Sequence, residues 1–67
     1  MERQEVIKHI GKKVLIILDN EYKYTAVIPQ FDGDSFSIID IFGEEISVTC
    51  DFISAIIPKK ENERGWN

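Results

Sequence analysis

The chain has one cysteine, one histidine, one tryptophan and two prolines in 67 residues. Cys50 has no second cysteine to pair with, so no disulfide within the chain holds the fold together. Cys50 and the distant His9 cannot supply the four ligands of a structural zinc either, and no glycine-rich phosphate loop occurs. Neither a metal nor another cofactor is expected. The longest unbroken apolar run, Val14–Leu18, is far too short to cross a membrane, and no run resembles a secretory signal. The expectation is a cytoplasmic, soluble protein with no membrane partner.

Positive charge is also scarce where most of the chain lies. The formal net charge is −4, unevenly spread. From Met1 to Lys13, Arg3, Lys8, Lys12 and Lys13 outweigh Glu2 and Glu5, for a net +2. From Val14 to Ile57, Lys23 alone opposes Asp19, Glu21, Asp32, Asp34, Asp40, Glu44, Glu45 and Asp51, for a net −7. A middle that gripped nucleic acid would normally show the reverse, because phosphate contacts need Lys and Arg. A solvated, solubility-giving surface is the plain alternative. A single domain this short buries too little surface to be comfortable alone, and self-association is the expected aid.

What is present is β-rich. "MERQEVIKHIGKK" puts Val6, Ile7 and Ile10 at helical spacing with Gly11 as a stop, predicting a helix over about 2–11. "KVLIILD" reads as a strand covered on both faces, and Asn20-Glu21 as a tight turn. "YKYTAVIPQF" reads as a second strand sharply bent at Pro29, which lacks a ladder donor. "SFSIIDIF", "EEISVTC" and "FISAIIP" complete five strands over about 13–58, with Asp32-Gly33-Asp34 and Gly43 at turns and almost no loop at Asp51. Ile46, Val48 and Cys50 alternate with Glu45, Ser47 and Thr49, one face buried and one wet. Residues 1–58 form the domain, and 59–67, without apolar period, read as a mobile tail on which Trp66 is the one candidate anchor.

The fold class expected is all-β with one short N-terminal helix: a five-stranded, strongly bent antiparallel barrel of the SH3-like class. That element order resembles the Sm-like (LSm/Hfq) superfamily. "VLIILDNEYKYTAVIPQFD" is similar to the Hfq pattern of a first strand, an "NG" turn, a small residue at the bend of the second strand and a closing "FD", at Asn20, Ala26, Phe31 and Asp32. "DFISAIIP" resembles the Hfq closing "HAISxxxP" at Ile53, Ser54 and Pro58, and the Sm2 box at Ile53. The resemblance spans Gly11 to Pro58 and implies a homo-oligomeric ring that binds single-stranded RNA. It implies a base site at Asp32, Phe36, Ser37, Thr49, Cys50 and Asp51, helped by Lys8, Lys12 and Lys13 on the helix side.

The departures from that family bear directly on function. Thr49, Cys50 and Asp51 stand where Hfq carries "YKH", and Thr49 and Cys50 stand where the Sm branch carries Arg-Gly. Ser37 or Phe36 replaces the family's Asn, according to where the insertion at Gly33-Asp34 is placed. Phe36 is able to stack a base; little else matches what single-strand recognition uses. The resemblance also implies a shared pore rim for Asp32, Asp34 and Asp51, which would repel phosphate and attract cations or a basic protein segment. The alternative for each is an Asp that bonds its own turn.

Nothing points to catalysis. Cys50 is in phase with buried residues and has no activating group, and the acid pairs show no cleft to shift them. Tyr22 and Tyr24 share a strand face and suit packing or subunit contact better than base stacking. The protein is not expected to be an enzyme. Two functions remain: an RNA-binding ring with a non-standard, acidic pocket, placed first on the family resemblance, or a ring that acts as a scaffold or protein-interaction module without RNA.

Overall fold

A computed structural model describes residues 1–59. It contains α1 (Arg3–Ile7), β1 (Lys13–Leu18), β2 (Lys23–Val27), β3 (Ser35–Ile39), β4 (Glu45–Thr49), a single 3-10 turn (Cys50–Phe52) and β5 (Ile53–Pro58). All strand pairings are antiparallel. The protein is thus mostly β with one short helix, as expected. The expected closed barrel is not formed: the strands make two open sheets, ordered β2-β1-β5 and β3-β4. The tail expected to be mobile lies outside the described residues except for Lys59, whose N–H bonds the Lys13 carbonyl at 3.1 Å.

The reason the barrel stays open lies at Ile28-Pro29. The Ile28 carbonyl accepts from Gly11 N–H at 2.7 Å, and Ile10 and Ile28 form an isolated parallel bridge. The chain after Val27 is thereby drawn to the segment behind α1, and Pro29 has no N–H with which to rejoin a ladder. Instead of bending through Pro29, β2 ends before it, and Pro29–Asp34 cross over as a loop. The same pull shortens the helix. α1 spans five residues, not ten, and the following residues make tight turns, with His9 N–H on Val6 O and Ile10 N–H on Ile7 O. Gly11, at φ +83°, turns the chain into β1 in a conformation that a side chain would strain.

β1 sits between β2 and β5, and its alternation decides the core: Val14, Ile16 and Leu18 are buried while Leu15 and Ile17 are half-buried. The Asn20-Glu21 turn forms as expected, with Glu21 at φ 72° and Asn20 Oδ1 accepting Tyr22 N–H at 3.1 Å. Along β1 and β5 the register slips once, Ile17 facing Ala55 but Leu18 facing Ile53, so that Ser54 is skipped as a bulge. The second sheet covers the first with Phe36, Ile38 and Val48, and Val6, Ile28, Cys50 and Ile53 close the core between them.

Candidate functional site

The loop before β3 and the 3-10 turn before β5 meet at one end of the two sheets. Cys50 N–H donates to the Asp34 carbonyl at 2.8 Å, which extends the β3-β4 ladder by one pair and sets Asp34 beside Asp51. The Met1 amino group donates to the Cys50 and Ile53 carbonyls at 2.9 and 2.8 Å, tying the start of the chain to the same turn. Arg3 reaches over from α1: its Nε donates to the Gly33 carbonyl at 2.6 Å, and its guanidinium lies 5.5 Å over the Phe31 ring. The turn expected to lie on an acidic rim therefore has a guanidinium bonded to its Gly33 carbonyl.

Beside Arg3 opens a cleft of about 500 Å³ lined by Arg3, Ile7, Ile10, Gln30, Phe31 and Asp32. Its floor is firm, because Phe31 packs on Phe36 with ring centres 4.8 Å apart. Its lining is mixed, with Ile7, Ile10 and Phe31 offering apolar surface and Arg3, Gln30 and Asp32 polar groups.

The residues that the family resemblance points to are not gathered into one pocket. Phe36 is 6% exposed and faces the core, so its ring offers no free face for a base. Cys50 is buried as well; burial pushes its thiol up, with the Asp34 carboxylate adding to the rise, and it stays a protonated, unreactive group. Ser37 and Thr49 are exposed on the opposite, outer face of the β3-β4 hairpin, across from Ser47 and Ser35. Asp32 lines the cleft, while Asp51 is exposed on the 3-10 turn. Lys8, Lys12 and Lys13 are all exposed, and Lys8 makes a surface ion pair with Glu5 at 3.4 Å. Tyr22 and Tyr24 do share a face, edge to face at 6.5 Å. Among the described residues no three His, Cys, Asp or Glu side chains are placed to hold a metal ion, and no helix is long and apolar enough to cross a membrane.

Two features escaped the reading of the sequence. Arg3 was grouped with the lysines, although a planar guanidinium is the cation that stacks on aromatic rings. The other is "IDIFGEE" at the tip of the β3-β4 hairpin, where Ile39, Ile41 and Phe42 are exposed. Its signal was Ile39, out of phase with the inward Phe36 and Ile38. Comparison with known protein families, with curated proteins and with solved structures finds no match for this chain.

Proposed function

We propose that the chain is a subunit of a homo-oligomeric, Sm-like ring that works in the cytoplasm as a scaffold or protein-interaction module. The observation that carries this reading is the open edges of the two sheets, β4 and β5 among them. Among the described residues β4 bonds only β3, β5 bonds only β1, and the turn Cys50–Phe52 joins them. Ile46 and Ile56 are half-covered there, and Ile57 is 46% exposed. An edge of this kind invites pairing with another chain, and joining β4 of one copy to β5 of the next would cover two of the four edges at once, leaving β2 and β3. The sequence resemblance to Sm-like proteins supports the same arrangement. An RNA-binding ring is the second reading, supported by the exposed Lys8, Lys12 and Lys13. The buried Phe36 and the exposed acids Asp32, Asp34 and Asp51 weigh against a base pocket and favour the scaffold reading.

The ladder itself tells which backbone donor to remove. Cys50 N–H bonds Asp34 O and Asp40 N–H bonds Glu44 O, so by the alternation of antiparallel pairs Val48 N–H points at β3 and Ser47 N–H points away from it. Ser47→Pro therefore deletes a donor offered to a neighbour and spares the hairpin. Light scattering should report a multimer for the wild type and a lower mass for Ser47→Pro with an unchanged circular dichroism spectrum. Val48→Pro, by contrast, should unfold the hairpin. A wild type that is monomeric at all concentrations would remove the ring.

A further inference from the structure

The tip of the β3-β4 hairpin holds large apolar side chains out in water. Ile39 is 64% exposed, Ile41 70% and Phe42 83%. The presentation is rigid: Asp40 Oδ1 accepts from Phe42 N–H at 2.8 Å and Glu44 N–H at 3.1 Å, and Gly43 N–H closes on the Asp40 carbonyl at 3.0 Å. Isolated exposed apolar residues need no explanation, but a capped tip that projects them together does. Preorganisation of this kind lowers the ordering cost of a contact.

The same chain carries a matching cleft. It lies at the other end of the hairpin, where Asp34 bonds Cys50, and β3 alone separates the two by about 17 Å at the rise of a strand. A tip so placed is too far from the cleft of its own chain to fill it. The cleft offers Ile7, Ile10 and Phe31 for apolar contact and Arg3 above the Phe31 ring, and about 500 Å³ accommodates one aromatic side chain with an aliphatic neighbour. An incoming ring there would meet a second aromatic ring and a guanidinium, both favourable neighbours. The cleft lining itself is balanced, Arg3 against Asp32, but the segment Met1–Lys13 that flanks it carries a net +2 opposite a hairpin that has Asp40, Glu44 and Glu45 and no base.

We propose that the Ile41-Phe42 tip of one copy docks into the Arg3–Phe31 cleft of another, a head-to-tail contact that stacks subunits or rings. Such a heterologous contact uses two different surfaces and is able to propagate. It does not rest on the β4–β5 ring, since Phe42 and the cleft residues lie on neither of those edges.

The two-surface geometry is tested by complementation with the full chain. Phe42→Ser removes the tip and keeps the cleft, Ile7→Glu spoils the cleft and keeps the tip, and Gln30→Trp crowds the cleft from its exposed side as a second cleft variant. Light scattering over a wide concentration range should show wild-type particles growing beyond the basal unit, ring or monomer. Each single variant should shift that growth to roughly tenfold higher concentration or more, with its melting curve showing that it is folded. Mixing Phe42→Ser with either cleft variant should restore a pairwise complex, because one supplies the cleft and the other the tip. Wild type that never grows beyond the basal unit, variants that grow like wild type, or losses that mixing fails to rescue would each overturn the proposal. A failed β4–β5 ring appears separately, as a monomeric basal unit.

Discussion

Cys50 shows how burial decides what a side chain can do. Its thiol is enclosed by the core, and desolvation followed by the carboxylate of Asp34 lifts it above its ordinary value of 9.0. In the unfolded chain the thiol ionises first, so between the two values the unfolded state binds fewer protons and stability falls as pH rises. The contribution of the buried thiol is complete below pH 9 and is lost as pH climbs through the folded value. Cys50→Ala is expected to be less stable than wild type by about 1 kcal/mol at neutral pH, through lost packing. Because alanine has nothing to ionise, that gap should narrow as pH is raised to about 10. Urea midpoints of the two proteins across this range measure it, and a gap independent of pH would contradict the assignment. The same residue shows the reach of pattern reading: the alternation of Ile46, Val48 and Cys50 put it in the core. Phe36 was equally legible, since it alternates in phase with Ile38, but its candidacy as a base-stacking residue came from the family and not from that alternation.

Among the elements, the β3-β4 hairpin is the one whose turn does most for its shape. The tip depends on the Asp40 carboxylate, which accepts two backbone N–H groups, and on Gly43 at φ +85°. Asp40→Ala is expected to lower stability by about 1 kcal/mol, the usual worth of such hydrogen bonds at an exposed site, and Asp40→Asn should recover much of it because an Oδ1 acceptor remains. Thermal melts of the three proteins give the comparison, and equal losses for Ala and Asn would show that charge rather than the cap matters. The five strands and the turns at Asn20-Glu21 and Asp32-Gly33-Asp34 were readable from period-two alternation and turn residues. The third strand, however, read as running through Phe42, ends at Ile39, because the Asp40 carboxylate draws the Phe42 and Glu44 N–H groups into the turn. The missing barrel closure was not readable. It hangs on Ile28 giving its carbonyl to Gly11, a contact between residues 17 apart in sequence that no local pattern encodes. The helix length failed for the same reason, because Ile10 fits helical spacing but is drawn into the bridge with Ile28.

At the scale of the whole molecule the question is whether the protein offers RNA anything to hold. Binding of single strands needs stacking planes and cations, and here Phe36 is turned inward while the Arg3 Nε is already engaged by the Gly33 carbonyl. Lys8, already paired with Glu5, Lys12 and Lys13 are exposed, and so are the carboxylates of Asp32, Asp34 and Asp51. Repeated around a ring, those carboxylates would repel a phosphate backbone with a strength that salt reduces. Short oligo-uridine is therefore expected to bind weakly or not at all at moderate salt. If the lysines do give a weak electrostatic contact, changing Asp32, Asp34 and Asp51 together to Asn should strengthen it, most at low salt. A fluorescence titration of labelled oligo-uridine against wild type and the triple variant, at two salt concentrations, separates the readings. Tight, salt-sensitive binding by the wild type would overturn the scaffold reading and make the helix lysines the first place to look. Binding that appears only in the triple variant would show that the rim acids suppress an otherwise sufficient basic face. No binding by either protein would favour the proposed protein contacts at the sheet edges and the hairpin tip over any role in holding nucleic acid.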